Sequence, residues 1–173
     1  MKLTSIIFLV LPYFVFGQDI NTLEFRTVNN SEFSISYPSN WELKEHGIHN
    51  TRLIVLSEQE SSSDKFRESV NLIVQDLTGF NYDLDTFAAI SKEQAPMMIP
   101  NFNLISEEKV VEKDRSFYKV FFTGDNGSFQ FKFEQYYFVV HNRAYILTLT
   151  TEKSKFEVFR SIGERILNSF KLF

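Results

Sequence analysis

Apolar and polar residues alternate through most of this chain, and helical spacing replaces the alternation twice. Residues 23–28 and 33–37 alternate around Asn29-Asn30-Ser31, a turn-forming cluster, and predict a hairpin. Pro38 stops the second of these strands, and Trp41, the chain's one tryptophan, follows three residues later. Residues 52–56 and 70–76 predict two further strands. The polar, serine-rich stretch 57–65 between them is expected to be the most mobile segment.

The first helical pattern is Leu84, Phe87, Ala88, Ser91 and Ala95. Asp83 stands before it as an N-cap, and Asp85 sits in the first turn, where the helix dipole favours negative charge. Pro96 is expected to end that helix. Strands are predicted at 104–111 and 116–123, joined by Glu112-Lys113-Asp114. The Asn-Gly pair within Gly124-Asp125-Asn126-Gly127 suits a tight turn into the longest strand, 129–140. His141-Asn142-Arg143 then turns the chain into 145–151. Phe156, Phe159, Gly163, Ile166, Leu167 and Phe170 fall on one stripe of a second helix. A glycine on that stripe costs about 1 kcal/mol relative to alanine, so the helix is expected to lie close against a neighbour at Gly163. The order strands, helix, strands, helix, with hairpin-length links, predicts an α+β fold: an antiparallel sheet with helices packed on it, not a βαβ nucleotide fold.

Composition adjusts that picture at the start of the chain. A basic Met1-Lys2 precedes the uncharged apolar run 6–16, and Val15 and Gly17 stand at the positions a signal peptidase reads, giving an expected signal peptide over 1–17. The run is shorter than the ~20 residues a membrane helix needs. Removal of the first 17 of 173 residues leaves 156, one domain over 18–173 with room for a single core. With Lys2 gone, 17 basic residues face 22 acidic ones, a net charge of −5. An acidic chain with no Lys/Arg cluster is a poor match for nucleic acid. The chain has no cysteine, which excludes thiol catalysis, disulfides and lipid attachment at a cleavage-site cysteine. Its 20 phenylalanines offer large buried side chains instead, and the ladder Phe129, Phe131, Phe133, Tyr137 is read as core.

The hairpin followed by Tyr37-Pro38-x-x-Trp41 resembles the opening of PsbP-like domains and of the related DcrB-type bacterial proteins. The segment Leu84-Asp85-x-Phe87, the long aromatic strand, Ala144-Tyr145-Ile146-Leu147-Thr148-Leu149-Thr150 and the closing Phe156, Phe159, Ile166, Phe170 pattern extend the resemblance over nearly all of the mature chain. It implies an α-β-α sandwich around a twisted antiparallel sheet. Tyr37, Pro38 and Trp41 would then be structural, with Trp41 folded back as a plug over the end of the core. PsbP itself is an extrinsic photosystem II subunit that helps retain calcium and chloride, another branch binds the GTPase Ran, and DcrB-type proteins belong to the envelope. PsbP's extended N-terminal segment has no counterpart here, which speaks against a photosystem role. The family carries no common catalytic motif.

The residues themselves offer little chemistry. There is no Gly-x-Ser-x-Gly elbow to build a serine nucleophile. His46 and His49, three apart with Glu42 and Glu45 upstream, could ligate zinc or manganese, with His141 arriving from elsewhere; a solvated polar loop explains them as well. Asp83, Asp85 and Asp125 do not have the spacing of an EF-hand and read as caps and turns rather than calcium ligands. Met97, Met98 and Ile99, bracketed by Pro96 and Pro100, either pack under the first helix or form a partner contact. The expectation is a periplasmic or secreted, non-enzymatic binding or accessory domain of the envelope, without cofactor, whose partner is another envelope or secreted protein. The rival expectation is a periplasmic carrier of a small ligand or of a zinc, manganese or calcium ion.

Overall fold

The computed structural model describes residues 23–45 and 51–173. The signal segment, His46 and His49 lie outside the described residues. Among the described residues, ten strands and two helices follow in the order β1 (Phe25–Asn29), β2 (Phe33–Pro38), β3 (Glu42–Glu45), β4 (Leu53–Leu56), β5 (Ser69–Asp76), α1 (Leu84–Met98), β6 (Asn103–Val111), β7 (Ser116–Asn126), β8 (Phe129–Val140), β9 (Arg143–Glu152), α2 (Phe156–Asn168) and β10 (Lys171–Leu172). Seven strands form one antiparallel sheet in the order β3-β4-β5-β9-β8-β7-β6, and β1-β2-β10 form a small second sheet.

Side chains alternate across the large sheet, so each strand feeds two cores. Val70 and Leu72 of β5, Tyr136 and Phe138 of β8, and Leu147 and Leu149 of β9 face α2 and the small sheet. Val120 and Phe122 of β7 and Tyr137 of β8 face α1, meeting Phe87 and Ala88. The result is mostly antiparallel sheet with two helices. Gly163 lets α2 approach this closely: a Cβ there would overlap the methyl groups of Leu149.

Three local expectations change, and one strand, β3, is an addition to them. α1 runs through Pro96 to Met98, because proline forfeits one hydrogen bond in the last turn while the Ile99 N–H still reaches the Ala95 carbonyl. The β7–β8 turn is Gly127-Ser128, with φ +62° at Gly127, while Gly124, Asp125 and Asn126 belong to the strand. Leu43 of β3 packs on the larger core although Glu42–Glu45 shows little apolar alternation. The segment 57–65, expected to be mobile, is tied down together with the residues after it: Phe66 packs tilted against Phe131 with ring centres 4.6 Å apart, and Lys155 bridges to Glu60 at 2.6 Å and Asp64 at 3.2 Å.

Candidate functional site

The turn between β6 and β7, the N-terminus of α1, the β8–β9 turn and the residues after α2 meet at one end of the large sheet. Between them runs an open groove of about 1050 Å³. Phe138 and Phe170 are its buried apolar residues, and Phe173, 66% exposed, is its most accessible ring. Arg115 holds one wall together. It pairs with Glu112 at 2.6 Å, donates to the Phe170 carbonyl at 2.8 Å, and its guanidinium lies 5.2 Å from the Phe117 ring centre and 5.9 Å from that of Phe138.

The opposite wall starts from the N-cap of α1, where the Asp83 carboxylate accepts the Thr86 N–H. Asp85 accepts from Lys109 at 2.6 Å and from the Tyr118 hydroxyl at 2.9 Å. Those two donors hold the Asp85 carboxyl below its usual range, and their hydrogen bonds to Asp85 hold Lys109 and Tyr118 above theirs. Lys113, Lys171 and His141 also line the groove and have no side-chain partner among the described residues. His141 sits in a two-residue turn with Asn142, both at positive φ, and no hydrogen bond joins it to Ser116 across the groove. Among the described residues, no three His, Cys, Asp or Glu side chains are placed to hold a metal ion.

The other residues singled out by sequence lie elsewhere. Trp41 is 5% exposed and packs against Phe159, with ring centres 6.3 Å apart. Tyr37 and Pro38 are buried beside it in sequence, and the Trp41 N–H returns to the Pro38 carbonyl. Met97 and Met98 are each 77% exposed, so they do not pack under α1. Ile99 turns inward onto the core beneath α1, against Gly124. Asp125 accepts from the Asn101 side chain at 2.7 Å.

Two buried carboxylates escaped the sequence reading. Glu134 on β8 is fully buried and pairs at 2.9 Å with Lys119, which also reaches Glu164 on α2 at 3.2 Å. Burial pushes Glu134 above the usual carboxylate range; burial opposes the charge on Lys119 too, but the two carboxylates outweigh it and raise that lysine. Glu68 is also fully buried, neither of its oxygens has a hydrogen-bond partner, and Lys155 stands 3.8 Å away; burial raises its pKa as well. A lone acid at a core-facing position of an aromatic strand was the legible signal for Glu134.

The pattern of the family described as PsbP-like protein matches residues 16–172. The chain belongs to the PsbP-like family. Solved structures agree on the fold at low identity. Cyanobacterial PsbP from Synechocystis is 14% identical, with 91% of this chain and 96% of that one covered and a TM-score of 0.61. LpqN of Mycobacterium tuberculosis, a protein involved in cell envelope biogenesis, is 12% identical over 88% of this chain and 92% of its own, with a TM-score of 0.65. PA94 of Pseudomonas aeruginosa, a protein of unknown function, is 13% identical over 84% and 94%, with a TM-score of 0.58. No curated protein matches the sequence.

Proposed function

We propose that this PsbP-like chain is an exported, non-enzymatic accessory domain of the cell envelope that binds another envelope or secreted protein. Its fold is read as an α-β-α sandwich in which the sheet dominates, formed by residues 18–173 once a signal peptide over 1–17 is removed. Family membership and the likeness to LpqN support the envelope setting. The groove carries the binding reading. Its charged pairs, Arg115–Glu112 and Lys109–Asp85, are engaged with each other and shape the walls, while Lys113, Lys171 and Phe173 remain available to a partner. An exposed aromatic ring such as that of Phe173 is a residue type enriched at protein interfaces, and the two unpaired lysines at its rim would steer an acidic partner towards it.

The groove volume also favours a second reading, a small-ligand carrier, because small-molecule pockets run to about 1,000 Å³. Its metal form, with zinc, manganese or calcium, would rest on His46 and His49. Capture from envelope extract on the immobilised mature protein separates these readings. A specific protein retained by wild type and lost with a Lys113→Glu/Phe173→Ser variant supports the accessory domain. A co-purifying small molecule lost in that variant, or a metal ion lost in His46→Ala/His49→Ala, with no protein retained, supports the carrier.

A further inference from the structure

α1 covers only part of its face of the large sheet, packing over β7, β8 and the start of β9. Farther along the same face the alternation of β4 and β5 brings up Ile54, Leu56 and Ile73, opposite Leu53, Val55 and Leu72, which point into the larger core. Among the described residues, these three half-buried aliphatics join neither core. Asn71 stands between them, and its side-chain oxygen is buried without a hydrogen-bond partner. A buried acceptor without a donor is costly and uncommon in a finished structure. The three aliphatics mark a part of the face that α1 leaves uncovered.

Charge indicates what covers it. Lys44 lies opposite Ile54 in register and Arg52 precedes Leu53, so both lie on this face; Arg67 leans in to reach Glu42 at 2.5 Å. Glu42 is also 3.3 Å from Lys44, so one carboxylate serves two cations, and Arg52 has no side-chain partner among the described residues. Lys44, which shares its carboxylate with Arg67, and Arg52 thus leave positive charge beside an aliphatic face, on a chain whose net charge is −4.

We propose that this uncovered half of the sheet docks an acidic amphipathic helix of a partner protein, lying beside α1 as a third helix would. Its apolar stripe would sit on Ile54, Leu56 and Ile73, and its acidic flank on Lys44, Arg52 and Arg67. The proposal rests on the accessory-domain reading but uses a surface separate from the groove.

The test uses a stapled helical peptide of about 18 residues, five turns at 3.6 residues each, with a leucine stripe flanked by glutamates. Its counterpart carries lysine flanks, and both are titrated into the ¹⁵N-labelled mature protein. The expected result is binding of the acidic peptide with shifts at Ile54, Asn71 and Ile73, weakened about tenfold by Arg52→Glu, an exposed change that leaves the melting temperature in place. Lys113→Glu in the groove should leave this binding intact, so a failed groove reading and a failed docking face give different results. Equal binding of the lysine-flanked peptide, shifts confined to the groove or to Met97 and Met98, or no binding would overturn the proposal. So would Arg52-dependent binding to phosphatidylglycerol vesicles in place of the peptide, which would make the face a lipid surface.

Discussion

Glu68 is a carboxylate held away from water with no hydrogen bond to its oxygens, and burial raises its pKa in the folded state. The folded protein therefore holds that proton in a pH window where the unfolded chain has released it. Stability falls as pH rises through the window and stays lowered above it. Glu68→Gln removes the buried charge and should raise the melting temperature at pH 7 by on the order of 2–4 °C, as expected for about 1 kcal/mol in a domain of this size. Calorimetry across pH checks the sign: the gain should shrink on acidification and vanish below the ordinary glutamate range. A gain that persists or grows in acid would contradict the assignment. Trp41 gives a second test at this scale. Buried against Phe159, it should cost about 3–5 kcal/mol when replaced by alanine, read from the denaturant midpoint. Its native fluorescence should be blue-shifted and poorly quenched by iodide. The strand-breaker at Pro38 and the tryptophan after it were legible together, because proline ends the ladder and the chain turns back at once. The burial of Glu68 was not, since nothing in a run of charged loop residues marks which one is buried.

The segment 57–68 behaves as a strap rather than a free loop, because Lys155 at the start of α2 gathers Glu60, Asp64, Glu68 and Glu152 around one ammonium group. Phe66 anchors the same segment to Phe129 and Phe131. Lys155→Met should loosen it locally. Hydrogen exchange should accelerate across 58–67 while the amides of β8 and β9 keep their protection. Uniform acceleration over the whole chain would show that the lysine holds the fold and not the strap. At this scale the long elements were readable from periodicity, and glycine and asparagine marked where the tight turns fall to within a residue, the β7–β8 turn lying at Gly127-Ser128. β3 and β10 were not, because four and two residues carry too little alternation to register. The serine-rich composition of the strap suggested mobility, since composition does not reveal a lysine arriving from 90 or so residues later.

Taken whole, the molecule builds two cores on a single sheet and gathers four connecting segments into a groove at one end. The antiparallel sheet with packed helices followed from hairpin-length links, and the family followed from the order of its aromatic motifs. The groove was hidden because Asp83, Arg115, His141 and Phe170 come from four distant stretches, and only the topology unites them. Its function as a protein-binding surface is the central claim, and site-specific photo-crosslinking in the intact envelope tests it most directly. A photoreactive residue at position 113 should yield one discrete crosslinked protein, and one at exposed Val158 on α2 should not. Identical crosslinking from both positions, or none from 113 while a small molecule stays bound to the purified chain, would contradict it.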